Sequence, residues 1–246
     1  MAMNGVVLAG GLGTRFDPVT RVVNKHLLDV FDEPMIYYPI RTLAQAGVTD
    51  IVLVTGEEID QFKELLGDGT ELGVTIAYAQ QIGELGIAHA LGMAEPLVDS
   101  DKIIVILGDN IFQEDLSPFV ESFARQPSGA RLLLKRVAPE DALRFGVAVM
   151  KDGTVEEIVE KPKQAISDLV VSGCYMYDSR VFDIIKGLTL SDRNEYEITD
   201  VNNDYIQNGE MEVDVLKGWW TDAGTPPSKL KASILVALNK GVTFHA

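Results

Sequence analysis

The sequence predicts an α/β protein: a single domain with a mixed, mainly parallel central sheet flanked by helices. Short apolar runs alternate with stretches of helical period through the first half of the chain. The runs are apolar at nearly every position rather than at alternate ones, the pattern of parallel strands covered on both faces. A glycine-rich turn follows the first run at once, at the strand end where open α/β sheets receive ligands.

The elements follow in order. Residues 5–9 (Gly-Val-Val-Leu-Ala) read as the first buried strand, running into Gly10-Gly11-Leu12-Gly13-Thr14-Arg15. Pro34 is expected to open a helix over 34–46, stopped by Gly47. Strands are predicted at 51–54, 74–78 and 103–107, with helices over 59–66, ended by Gly67, and 86–94. After Asn110 the rhythm changes. Strands at 131–134, 146–149, 155–159 and 170–177 follow with hairpin signals such as Asp152-Gly153, and helices return near 180–186, 198–207 and 228–239. No linker, repeat or low-complexity segment divides residues 1–246. They are read as one domain in two halves, at about 1–110 and, with the C-terminal helix, at about 111–246.

The totals exclude several functions. A net charge of −16 opposes nucleic-acid binding, which needs a basic face. No apolar run approaches the roughly 20 residues that span a bilayer, so no membrane partner is expected. The start, Met1-Ala2-Met3-Asn4-Gly5, has no basic region and predicts no signal peptide. The lone cysteine, Cys174, forbids an internal disulfide and fits a reducing cytoplasm. The same negative field repels polyanionic substrates, so an enzyme of phosphates must reverse it locally. Residues 1–28 do so, with Arg15, Arg21 and Lys25 against the single acid Asp17.

A glycine-rich turn lets backbone N–H groups approach phosphate oxygens. Two familiar forms do not fit. The dinucleotide fingerprint G-x-G-x-x-G fails at its third glycine, where Phe16 stands, and Val54-Thr55-Gly56 supplies no acid after the second strand. A P-loop needs Lys then Ser or Thr after its last glycine, whereas Thr14-Arg15 follows Gly13. What remains is G-G-x-G-T-R with Lys25 ten residues beyond Arg15.

That pattern, with Asn24-Lys25-His26-Leu27-Leu28, resembles the signature of the sugar nucleotidyltransferases. Further matches are Leu107-Gly108-Asp109-Asn110, Glu160-Lys161-Pro162, Glu197-Ile198-Thr199-Asp200 and Trp220-Thr221-Asp222-Ala223-Gly224. The likeness runs from residue 5 to about 235 and is strongest to the branch that transfers a thymidylyl group to glucose 1-phosphate. It implies a Rossmann-like nucleotidyltransferase fold, small-molecule substrates, Mg²⁺ as cofactor and a homo-oligomer. The product would be a dTDP-sugar of the kind that feeds deoxysugar and cell-surface polysaccharide synthesis.

In such a reaction a sugar phosphate oxygen attacks the α-phosphorus and pyrophosphate leaves. A phosphate monoester is largely ionised near neutral pH, its second pKa being about 6, so no side-chain base is needed. Rate must come from positioning two anions and neutralising the leaving group. The resemblance gives Arg15 that role, with Lys25 supporting the phosphates and Lys161 aiming the sugar phosphate. Apart from the motif, an Arg and a Lys here would read as solvated surface. The resemblance further implies that Leu8, Gly10, Gly11, Gly13 and Thr14 line the nucleotide, with Gln81 and Gly86 at the base. Asn110, Gly146, Glu160, Val171 and Arg193 would contact the sugar phosphate, and Asp109 and Asp222 would hold the metal. Trp219 and Trp220 read equally as interface or loop packing.

The chain departs from longer relatives in carrying Phe145 for Tyr, His26 for Gln, and Arg193-Asn194-Glu195 for Arg-Gly-Glu. It stops at Ala246 without their additional C-terminal segment, which implies weak or absent inhibition at a remote nucleotide site. A UTP-using relative and one acting on another sugar phosphate remain alternatives. A regulatory module without chemistry would have eroded Arg15, Lys25, Asp109, Lys161 or Asp222, and all five are present.

Overall fold

In the computed structural model, residues 3–243 are described. The expectations drawn at Met1 and Ala2 and at the chain's last residues lie outside them. The chain runs β1 (Asn4–Ala9), β2 (Asp29–Val30), β3 (Glu33–Pro34), α1 (Tyr37–Gln45), β4 (Asp50–Thr55), α2 (Ile59–Leu66), β5 (Thr75–Gln80), α3 (Ile87–Gly92), β6 (Lys102–Leu107), β7 (Asn110–Phe112) and α4 (Ser117–Arg125). It continues through β8 (Ala130–Arg136), α5 (Pro139–Ala142), β9 (Gly146–Lys151), β10 (Thr154–Glu160), β11 (Leu169–Asp178), α6 (Val181–Gly187), α7 (Ile198–Gln207), β12 (Met211–Val215), β13 (Trp220–Asp222) and α8 (Pro226–Asn239).

Among the described residues nine strands form one sheet. Its centre, β5-β4-β1-β6, is parallel throughout, with Val6 beside both Val52 and Val105. β11 then runs antiparallel between β6 and β8, and β12 adds parallel to β8. The β9–β10 hairpin joins through the start of β11. Its turn carries Asp152 and Gly153 at φ 49° and 85°, the double left-handed geometry that the Asp-Gly pair predicts.

Side chains alternate across β1. Val6 and Leu8 join the core under α3, α6 and α7, while Val7 and Ala9 join the core under α1, α2 and α4. The inner strands β1, β4 and β6 are therefore apolar along nearly all their length because both faces are covered, while β5 at the sheet edge carries exposed Thr75 and Gln80. No helix among the described residues is long and apolar enough to cross a membrane.

One expected helix start is overturned. Pro34 does not open a helix; it pairs with Asp29 in the small β2–β3 ribbon. The N–H groups of Met35 and Ile36 donate to Leu28 and His26, which holds both buried residues outside the helix until Tyr37. At the other end α8 starts two residues earlier than expected, because Pro226 takes its first position and Thr225 and Ser228 form a capping box.

Candidate active site

The site begins where β1 ends. Gly13 adopts φ 66°, and a Cβ there would lie 2.9 Å from Lys25 Cβ and 3.0 Å from Thr20 Cγ2. Only glycine allows both that left-handed turn and the close approach of Lys25 beneath the loop. Phe16 is buried and anchors the following turn. Arg21 is tied to Asp17 at 2.6 and 2.7 Å, so it contributes little free charge. Arg15 is exposed, and its guanidinium bonds to no protein group among the described residues.

Lys25 enters through a short turn capped by Asn24, whose Oδ1 accepts from the His26 backbone at 3.0 Å and lies 2.8 Å from His26 Nδ1. Burial, with Lys25 adjacent, pushes the His26 imidazole down to about 3, so it packs as a neutral group. Lys25 Nζ donates to Asp109 Oδ2 at 2.7 Å, and both side chains are largely buried. Burial, the largest single influence, would raise the Asp109 carboxyl, but Lys25, His26 and the Asn110 hydrogen bond together outweigh it and hold the group at about 2.

Asp222 arrives from far along the chain. β13 pairs antiparallel with β7, setting Asp222 opposite Asn110, and the Ala223 N–H donates to the Asp109 carbonyl at 2.7 Å. Trp220 Nε1 donates to Asn110 Oδ1 at 2.7 Å, and Asn110 Nδ2 donates to Asp109 Oδ1 at 2.9 Å. Buried Trp220 is thus a fixed support for the carboxylates, and Trp219 packs against the core beneath α8. Gly173, at φ 68° in the irregular middle of β11, leaves room for the Asn110 side chain, which a Cβ would strike at 2.7 Å. Burial and then the charge of Asp109 push the Asp222 carboxyl above its ordinary value, against the pull of Arg144 and Arg15. Arg144 Nη2 reaches Asp222 at 3.2 and 3.4 Å.

The opposite wall comes from the end of β10. Glu160 Oε2 accepts from Thr199 Oγ1 at 2.8 Å, and Lys161 Nζ lies 3.4 Å from Glu160 Oε1. Lys161 takes φ 41°, and its backbone N–H donates to Phe145 at 3.0 Å. Gln81 follows β5, with Nε2 pointing to the Gly86 carbonyl at 3.4 Å.

All the residues predicted from sequence except Arg193 line one cavity of about 770 Å³. That includes Leu8, Gly10, Gly11, Thr14, Gly146 and Val171. Arg193 is not among the lining residues, its guanidinium being shared among Glu160, Glu195 and Glu197 at 2.8 to 3.4 Å. Asn194 takes φ 60°, the left-handed turn for which Asn substitutes for glycine. Sequence reasoning missed Glu84, Arg144, Tyr175, Thr199 and Asn202, which also line the cavity. Glu84 Oε1 accepts from the Leu12 N–H at 2.9 Å, clasping the glycine-rich loop. The spacing of Thr199 and Asn202, one helical turn apart, was visible, but not that this face fronts the cavity.

Chemically, the cavity offers cations and free N–H groups for anions, and two neighbouring carboxylates for a cation. Among the described residues no three His, Cys, Asp or Glu side chains cluster as metal ligands. A cation held by Asp109 and Asp222 alone would complete its shell with water and substrate oxygens, which suits a hard ion such as Mg²⁺. The pair also fits because burial and then the charge of Asp109 both disfavour the ionised Asp222, a cost that a cation between them would offset.

The chain matches the nucleotidyl transferase family over residues 4–237. It is 40% identical over 239 residues to a glucose-1-phosphate thymidylyltransferase of Neisseria meningitidis, covering 95% of this chain and 82% of that one. It is 38% identical over 243 residues to a low-salt glycan biosynthesis nucleotidyltransferase of Haloferax volcanii, covering 98% of this chain and 68% of the relative. A Bacillus anthracis crystal structure, described as a candidate glucose-1-phosphate thymidylyltransferase in complex with sucrose, has a TM-score of 0.91 at 46% identity, covering 100% of this chain and 98% of that one.

Proposed function

This chain belongs to the nucleotidyl transferase family, and from that premise we propose that it transfers the thymidylyl group of dTTP to glucose 1-phosphate, yielding dTDP-glucose and pyrophosphate. The observation that carries the proposal is the single cavity reached by both the Gly10-to-Arg15 loop and the Glu160-Lys161 end of β10. Its volume lies in the upper range of small-molecule pockets, as two substrates require. The nucleotide occupies the half built by residues 1–110 and the sugar phosphate the half built by 111–246.

The work of each residue follows from its chemistry. Backbone N–H groups of Gly11, Gly13 and Thr14 cradle the phosphates. Arg15 bridges oxygens of the departing pyrophosphate with its planar fork. Lys25 adds a point charge, now neutralised by Asp109. Gln81 and Gly86 meet the base, and the Gln81 amide can both donate and accept. Lys161 directs the already ionised sugar phosphate, while Glu160 accepts from sugar hydroxyls and is held by Thr199 and Arg193. Asp109 and Asp222 hold Mg²⁺, which when bound supplies charge neutralisation at the phosphates.

Pyrophosphate release across a matrix of nucleoside triphosphates and sugar 1-phosphates tests the reading. dTTP with glucose 1-phosphate is expected to give the highest kcat/KM. A best pair lacking dTTP would move the chain to another branch, and no release from any pair would refute the enzyme. Lys161→Ala tests the sugar end. It should raise the sugar-phosphate KM at least tenfold, the scale of losing one charged hydrogen bond. Nucleotide affinity, measured by calorimetry with Mg²⁺, should hardly move. Equal losses for both substrates would put Lys161 on the wrong side of the cavity.

A further inference from the structure

We propose that Asn202 determines sugar specificity, its Nδ2 donating to one ring hydroxyl of the bound sugar phosphate; this rests on the function proposed above. Asn202 and Thr199 sit three residues apart on α7, so they share a face of the helix. Both line the cavity, and Thr199 is bonded to Glu160, so that face fronts the sugar end.

Asn202 is only 1% exposed, yet half of its amide is unused by the protein. Oδ1 accepts from the Tyr177 hydroxyl at 2.6 Å. Tyr177 is fully buried and stacked between Tyr175 and Tyr205, with ring centroids 6.1 and 5.7 Å away. Its position is therefore fixed, and burial keeps the hydroxyl protonated as a donor. Anchoring Oδ1 also fixes the direction of Nδ2. That nitrogen donates to no protein group among the described residues. No buried side-chain nitrogen or oxygen among them lacks a partner, so Nδ2 must open onto the cavity that Asn202 lines.

A donor fixed in this way complements Glu160, which can only accept. A sugar hydroxyl does both, so the wall presents one group of each kind. A site built to bond a hydroxyl rejects the analogue lacking it, because the site's own polar group is left unpaired. Loss of one such bond corresponds to about ten- to hundredfold in kcat/KM. If Asn202 served only as Tyr177's acceptor, its replacement would affect every sugar phosphate alike.

The test measures kcat/KM for glucose 1-phosphate and its 2-, 3-, 4- and 6-deoxy analogues. The parent is compared with Asn202→Leu and with Asn202→Leu combined with Tyr177→Phe. The double variant removes both bonded groups together, which spares the fold an orphaned hydroxyl. One analogue should be a poor substrate of the parent by about ten- to hundredfold. Both variants should bring glucose 1-phosphate and that analogue to similar values, lowering the first without lowering the second, and leave the dTTP KM unchanged. A uniform loss across all five substrates, or an unaltered pattern in a variant with the parent's Tm, overturns the assignment. No pyrophosphate release by the parent with any sugar phosphate overturns the proposed function and this residue's role with it.

Discussion

Asp222→Asn is expected to lower turnover by at least about a hundredfold, the scale of losing one preorganised electrostatic group, while the protein stays folded. The substitution keeps side-chain shape, and the β7–β13 pairing that carries residue 222 is made by backbone groups. An amide oxygen can still accept from Arg144, which now reaches both carboxylate oxygens. Asp222 is pushed up by burial and by Asp109, so removing its charge relieves a repulsion rather than creating one. Tm should therefore equal or slightly exceed the parent's. The catalytic loss should be accompanied by weaker binding of Mn²⁺ as a probe of the same oxygens, read by calorimetry without substrate. Excess EDTA should abolish activity of the unaltered protein. Full activity in EDTA would sink the assignment of both carboxylates.

That prediction depends on a contact of a kind the sequence reveals poorly. The parallel strands were legible because each is a run of consecutive apolar residues, and α2 and α7 fall at residues 59–66 and 198–207 as expected. The glycine loop and Lys25 were legible because they lie close along the chain. By contrast, the β7–β13 ladder joins three-residue strands more than a hundred residues apart. Strands that short have no periodicity, so only the motifs at Asp109 and Asp222 pointed to the pair. β12 was missed for a related reason: MEVDV alternates charge with partial burial at a sheet edge. α4 was missed because only Val120 and Phe123 of its nine residues are buried. Pro34 misled because a proline at a helix start is a statistical signal, and here the carbonyls of His26 and Leu28 compete for the backbone that follows. Arg193 shows the remaining gap. Its charge was readable, but not that three carboxylates would engage it, leaving it out of the cavity lining.

Arg15 differs from Lys25 and Arg21 in making no side-chain hydrogen bond or ion pair among the described residues, feeling Asp222 only at longer range. A cation left unpaired beside a glycine-rich loop, in a chain of net charge −16, is poised for an anionic ligand. Charge on the leaving pyrophosphate grows as the bond to the α-phosphorus breaks, so its guanidinium binds the transition state more tightly than the bound nucleotide. Arg15→Ala is accordingly expected to reduce kcat by roughly 10²–10³-fold, the loss typical of one preorganised donor, with a modest rise in the nucleotide KM. Arg15→Lys should recover little, because a point charge cannot span two phosphate oxygens as a planar fork does. Neither change removes a hydrogen bond or ion pair, and Phe16 and the Thr20–Gly13 hydrogen bond of 3.0 Å hold the loop, so Tm should stay close to the parent value. Steady-state kinetics decide between roles. A raised KM at unchanged kcat would mean that Arg15 binds ground and transition states equally, and the leaving-group role would then belong to another residue, with Lys25 next in line once substrate frees it from Asp109.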